Sequence, residues 1–262
     1  MRAELGWNQT LSDWHRLLAL GCCFAAERNG RIVGTCTGVS FGNELAWIGM
    51  MMVDPSCRGQ GIGGALLRSC VDLLHRAGVS SIKLDATPVG RPFYTHLGFR
   101  PEWTLTRWAR QEPPSGSEPL PDGIVELSER HWPEVRNLDL RVSGVVRAPL
   151  LMSLARGSRR ALIGERGGSV LGFGMLRDGA CACYLGPVAA HPEAGEPVVR
   201  SLLTAVDEPV FWDIPDYNET AVGLARRLGF TPSRPLTRMV LGPSVVPTAP
   251  QLYWAISDPA TG

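Results

Sequence analysis

Residues 53–64 read Val53-Asp54-Pro55-Ser56-Cys57-Arg58-Gly59-Gln60-Gly61-Ile62-Gly63-Gly64. An apolar run ends at Val53, a polar turn follows, and alternate glycines open an amphipathic segment. The first N–H groups of a helix have no internal partner, and the helix dipole places roughly half a positive charge there. Glycines remove the Cβ atoms that would keep an anion away from those N–H groups. Arg58 adds a charge at the rim. The stretch is therefore a candidate phosphate cradle between a strand and a helix.

Upstream, Leu45 to Val53 is nearly all apolar, as in a central strand buried on both faces. Asn29-Gly30 separates the runs Cys23–Arg28 and Ile32–Val39. Asn-Gly takes the positive φ values of a tight turn, so these runs form a hairpin. Thr10 and Asp13 have the spacing of a helix start. Downstream, Ile62, Leu66, Cys70, Leu73, Leu74 and Ala77 recur at helical spacing, with Gly78 at the helix end. Ser81 to Ala86 reads as a strand. Thr87-Pro88 reads as the start of a helix ending at Leu97-Gly98, and Phe99 to Trp108 as a further strand. The fold class is α/β: a mixed, largely antiparallel sheet flanked by helices.

The chain has 262 residues, 44% hydrophobic and 19% charged, with a net charge of +1. That is a globular composition without the basic field that draws a protein to nucleic acid or an anionic membrane. The run Ala46–Val53 is far short of the ~20 apolar residues of a membrane helix. Seven cysteines without a C-x-x-C read as reduced thiols of a cytoplasmic protein. Five histidines without helical pairing offer no metal site. Gln111 to Gly123 holds four prolines and reads as a linker between a unit over 1–110 and a second over 124–262.

Two nucleotide folds compete for the glycine loop. A P-loop needs Gly-Lys-Ser/Thr, which does not follow. Gly59, Gly61 and Gly64 satisfy G-x-G-x-x-G, and Asp85 stands where a ribose-binding acid would. In the dinucleotide fold, however, the strand enters the first glycine almost directly, and here Asp54 to Arg58 intervene.

V-D-P-S-C-R-G-Q-G-I-G-G-A-L-L, followed by F-Y-T-H-L-G-F at Phe93–Phe99, resembles the GNAT superfamily of N-acetyltransferases. The motif Q/R-x-x-G-x-G/A is matched by Arg58, Gly61 and Gly63. The run around Asp85 resembles a bacterial subgroup with two tandem units. The resemblance implies acetyl-CoA as cosubstrate, a small-molecule or peptide amine as acceptor, and no metal. Met51, Met52 and Val53 would present backbone groups to the pantetheine. Arg58, Gly59, Gln60, Gly61, Ile62, Gly63 and Gly64 would hold the pyrophosphate. The amine would attack the thioester directly in a ternary complex, with a strand N–H near Met52 stabilising the oxyanion. Tyr94 matches the tyrosine that protonates the departing thiolate; Asp85 and Glu44 are the nearest bases by strand position. Trp7, Trp47 and Trp103 are candidates for the acceptor pocket. A non-catalytic acyl-CoA-binding module is the alternative from another class. Neither the acceptor nor the oligomeric state carries a motif.

The second half repeats the pattern weakly. Leu171–Leu176 and Ala182–Ala190 read as strands, Val198–Val206 and Asn218–Leu228 as helices. Counting back from each L-G-F aligns Asp85 with Asp216, Thr87 with Asn218 and Tyr94 with Ala225. His191–Pro197 replaces the glycine loop, and its glutamates would repel a pyrophosphate. A degenerate unit without CoA binding is expected. In the first unit, the family's initial strand and helix have no counterpart before Thr10.

Overall fold

The structure, a computed structural model, describes residues 7–111 and 120–262. Residues 112–119, most of the expected linker, lie outside the described residues. The chain divides into two compact units: Met1–Glu102, Thr237–Val245 and Pro259–Gly262 form one; Trp103–Leu236 and Val246–Asp258 form the other.

The first unit opens with α1 (Leu11–Leu20), started by the Thr10/Asp13 capping box. β1 (Gly21–Arg28) and β2 (Arg31–Phe41) form the expected hairpin, with Asn29 at φ 51° and Gly30 at φ 73°. β3 (Leu45–Val53), α2 (Ile62–Arg76) and β4 (Ser81–Ala86) follow. α2 buries Leu66, Leu67, Cys70 and Leu74 against Ile48, Ile82, Leu84 and Phe99. Each such side chain contributes roughly 1.5–3 kcal/mol by leaving water. α3 (Arg91–His96) begins later than expected. The Thr87 hydroxyl accepts from Gly90 N at 3.1 Å and closes a turn, so the helix starts only beyond Gly90, with Pro92 in its first turn.

β5 (Arg100–Arg110) then enters the second unit from Trp103 onward. That unit continues through β6 (Ile124–Glu126), α4 (Trp132–Ser143), α5 (Ala148–Arg156), β7 (Ser158–Arg166), β8 (Ser169–Arg177) and β9 (Cys183–Ala190). α6 (Pro192–Leu203), β10 (Val210–Pro215), α7 (Glu219–Arg227) and the short β12 (Tyr253–Ala255) complete it, while β11 (Thr231–Leu241) passes into the first unit from Thr237 onward. The segment expected as a loop at 191–197 is the start of α6: His191 is the N-cap and Pro192 the first helical residue, a position where its missing N–H costs nothing.

The strand order is β1-β2-β3-β4-β11 in the first unit and β5-β10-β9-β8-β7-β6 in the second. Pairing is antiparallel except for β3–β4 and β9–β10. The units therefore depart from the contiguous stretches 1–110 and 124–262. β5 pairs with β10 over Leu105–Arg110, and Thr237–Leu241 of β11 pairs with β4. Each unit uses a strand encoded by the other half of the sequence.

Candidate active site

The glycine loop is built in three steps. Asp54 accepts from Ser56 N at 2.9 Å and Ser56 Oγ at 2.7 Å, bonds that hold its carboxyl below the usual range. A single 3-10 turn, Pro55–Cys57, then buries Cys57. Gly59 (φ 74°) and Gly61 (φ 77°) take the left-handed conformation that favours glycine, and Gly61 caps α2 without any side-chain hydrogen bond. A Cβ on Gly59 or Gly61 would meet nothing within 4 Å, so the chain leaves open space there. The N–H groups at the start of α2 thus face a vacant approach.

Arginines ring this approach. Arg58 Nε donates to the Val53 carbonyl at 3.2 Å, and Arg28 Nη1 donates to Gln60 Oε1 at 2.8 Å. Arg68 folds back over the first turn, with Nη1 3.1 Å from where a Gly64 Cβ would lie. Among the described residues none of these three guanidinium groups has a carboxylate partner. Gly63 packs under Met51 and Val53, and Ile62 against the core.

Beside the loop, the parallel pair separates. β3 and β4 are register partners only over Leu45–Trp47 and Ser81–Lys83. Further along β3 a bulge intervenes: Thr37 faces Gly49 and Thr35 faces Met52, so Met50 and Met51 together oppose Cys36. Met50 has φ 47°, and the Thr35 hydroxyl donates to its carbonyl at 2.8 Å. A bulge re-aims peptide groups, here on Met50–Val53.

Tyr94 lies on α3, on the α2 side of the sheet, edge-to-face with Phe93 and Phe99 at 5.1 and 6.0 Å. Burial pushes its phenol well above the ordinary tyrosine range. The structure thus brings Met51 to Gly64 and Tyr94 to one end of β3. Glu44 stands exposed at the other end. Trp103 packs on Tyr217 in the second unit. Trp47 is buried in the first unit, donating to the Pro259 carbonyl.

Asp85 is engaged differently from a free base. Its carboxylate is fully buried and takes two bonds of 2.9 Å from the Arg238 guanidinium. The second unit repeats this device: Arg107 binds Asp213 at 2.8 and 2.7 Å, again between register partners. The counterpart of Asp85 is therefore Asp213, not Asp216, which accepts from Thr106 Oγ1. Asn218 caps α7 as expected, and Ala225 is buried.

In the second unit the corresponding splay is filled. β9 and β10 pair over Cys183–Leu185 and Val210–Trp212 only. β12 lies along β9 at Val188 and Ala189, while Ile256 N donates to the Asp213 carbonyl of β10 at 3.2 Å. Trp212 Nε1 donates to Trp254 O at 2.9 Å, and Trp254 Nε1 to Ala190 O at 3.0 Å. The Trp254 ring lies against Gly195 in α6, where a Cβ would collide with it. Nothing local predicted that plug; only its apolar composition hinted at burial.

All seven cysteines are free, and the Cys22 thiol is pushed up by hydrogen bonding to Cys70 and by burial. Among the described residues no group of three or more His, Cys, Asp or Glu side chains is placed to hold a metal. No helix among them is long and apolar enough to cross a membrane.

A parallel pair that splays within a largely antiparallel sheet occurs in each unit of this α/β fold, and in the first an anion-ready helix start lies beside it. The acetyltransferase (GNAT) domain family matches twice, over residues 19–101 and 135–254. The uncharacterized N-acetyltransferase YitH of Bacillus subtilis is 22% identical over 231 residues, 87% of this chain and 81% of that protein. A proposed acetyltransferase from Pyrococcus horikoshii superposes with a TM-score of 0.82 at 25% identity, covering 96% of this chain and 84% of that one. A tandem GNAT protein from the clavulanic acid biosynthesis pathway superposes at 0.64 with 18% identity, covering 92% of each chain. The chain belongs to the GNAT acetyltransferases, an N-acyltransferase family, and carries two such domains in tandem.

Proposed function

We propose that the N-terminal unit transfers the acetyl group of acetyl-CoA to a primary amine by direct attack within a ternary complex. The observation that carries this is the open, cation-rimmed start of α2 beside the splay of β3 and β4. The diphosphate would lie on the N–H groups of Gly61–Gly64 with Arg58 at the rim. The pantetheine would run along the re-aimed peptides of Met51, Met52 and Val53. An N–H of the bulged strand donating to the thioester oxygen would lower the barrier by about 3–4 kcal/mol.

Tyr94 suits the role of acid. Its raised phenol stays protonated through neutral and mildly alkaline pH and has a proton to give to the departing thiolate. Asp85 is assigned otherwise: its carboxylate is committed to Arg238, and the same pair recurs in the unit without a glycine loop. We assign Asp85 to holding β11 on β4. The proton of the acceptor ammonium then leaves by solvent.

The second unit is degenerate, its splay occupied by β12, so the chain takes one acetyl-CoA. Seven free thiols, four of them buried, suit a reducing compartment such as the cytoplasm.

The test is thermal unfolding with acetyl-CoA and with NADH, followed by thiol release over a panel of amines. A ligand at 100-fold its Kd stabilises by about 2.7 kcal/mol. Stabilisation by acetyl-CoA together with amine-dependent thiol release bears the proposal out. Binding without turnover makes the chain an acyl-CoA-binding module, and stabilisation by NADH alone overturns both.

A further inference from the structure

Two of the arginines at the start of α2 are held there by separate devices. Arg28 ends β1, and its Nη1 donates to Gln60 Oε1 at 2.8 Å, so it leans from the hairpin onto the glycine loop. Its register partner across the turn is Arg31, and like charges directly opposite one another repel. Arg31 lies within electrostatic reach of Asp54, whose carboxyl is held low by Ser56 and, less strongly, by Arg31. Arg28 is met by a neutral amide instead. Arg68 lies in the second turn of α2. Its guanidinium rests on Gly64, with Nη1, Nη2 and Cζ 3.1, 3.5 and 3.6 Å from where a Cβ would stand. Gly64 is therefore the seat of Arg68.

That seat is electrostatically unfavourable for a helix start on its own. The first turn carries the positive end of the helix dipole, which favours anions and disfavours cations. Asp72, one turn further along α2, is exposed, and among the described residues it makes no ion pair with Arg68. Arg68 thus lies over the positive end of its own helix instead of on the acid four residues on. An anion standing among the helix N–H groups, Arg68 and Arg28 turns this repulsion into attraction.

We propose that Arg28 and Arg68 form a second phosphate subsite, separate from the diphosphate seat at Arg58, and that it reads the 3′-phosphate of CoA. The inference rests on the acetyl-CoA reading above. CoA carries a diphosphate and, on its ribose, a phosphate monoester with roughly −1.5 to −2 charge near neutral pH. The diphosphate uses the N–H groups of Gly61–Gly64 and Arg58, whose Nε is already committed to the Val53 carbonyl. Arg28 and Arg68 supply two further guanidinium groups, forked donors that match phosphate oxygens. The acyl donor is then CoA itself. A thioester on the phosphopantetheine of a carrier protein lacks the ribose phosphate and binds more weakly.

Titration calorimetry of the full chain with CoA and with 3′-dephospho-CoA tests this. The wild type binds CoA at least about thirtyfold more tightly than dephospho-CoA. Arg28→Gln and Arg68→Gln each weaken CoA about five- to tenfold and leave dephospho-CoA within about twofold. The double variant binds the two ligands alike. Arg58→Ala, by contrast, weakens both ligands equally, about tenfold. All three arginines are exposed, so the variants keep the unfolding midpoint of the wild type, which a thermal scan checks. Equal wild-type affinity for the two ligands overturns the subsite. So does an equal loss for both ligands in Arg28→Gln and Arg68→Gln, which makes these arginines a general positive field. Binding of neither ligand is a separate result: it removes the acetyl-CoA reading and the subsite with it.

Discussion

Arg238 grips Asp85 across two adjacent strands through paired N–H···O bonds of 2.9 Å, although 153 residues separate them. The pair is buried, its arginine stacks 4.3 Å from the Trp47 ring centroid, and Arg107–Asp213 reproduces it in the other unit. Each pair ties a unit's own strand to the strand it receives from the other half of the sequence.

Asp85→Asn therefore lowers stability more than it lowers turnover. Breaking a buried ion pair from one side costs about 3–5 kcal/mol, because the stranded guanidinium stays buried. Asp85→Leu with Arg238→Met recovers most of that stability and keeps activity. Denaturant unfolding and kcat on the same samples check this. A folded Asp85→Asn enzyme with kcat down 100-fold would restore the general-base role.

Arg58→Ala weakens acetyl-CoA binding about tenfold, the worth of one charge-assisted contact on a partly exposed phosphate. The penalty shrinks as salt rises from low to about 1 M, because the lost interaction is screened. Titration calorimetry at two ionic strengths measures both.

Tyr94→Phe lowers kcat about 10²-fold or more while acetyl-CoA affinity stays level. The wild-type pH profile shows no loss of the acid below about pH 10. The stability linkage has the same sign. The folded phenol keeps its proton above the pH at which the unfolded one releases it. Its contribution is thus fully present below about pH 10 and is lost as pH rises through the folded value. Unfolding at pH 9 and pH 11, wild type against Tyr94→Phe, separates this group from the rest.

Native mass spectrometry finds one acetyl-CoA per chain, since β12 fills the second splay. Trp254→Ala destabilises by about 3–5 kcal/mol, as for a fully buried indole, without creating a second site. A stoichiometry of two in the wild type would mean that β12 withdraws.

The glycine loop, the Asn29-Gly30 hairpin, the central strand Leu45–Val53 and the helix behind it were legible because each is set within a dozen residues. Turn chemistry, apolar period and capping are local interactions, and they name an element wherever it ends up. The start of α3 was misjudged by one turn because Thr87 caps equally well a turn or a helix. α6 starts ahead of the expected helix at Val198, because Pro192 takes the first helical position at no cost in hydrogen bonding and Pro197 lies inside the helix.

What only the tertiary structure decided is which strand lies beside which. β5 and β11 carry the same pattern, and either satisfies the edge of β4 or β10; the exchange is settled by pairings such as Asp85–Arg238 and Asp213–Arg107 that no local signal encodes. The same holds for Trp254 in the second splay and Pro259 on Trp47. The local sequence determined a glycine-rich helix start open to an anion. Long-range burial and hydrogen bonding decided that β12 fills the splay of the second unit and that Asp85 pairs with Arg238 across β4 and β11.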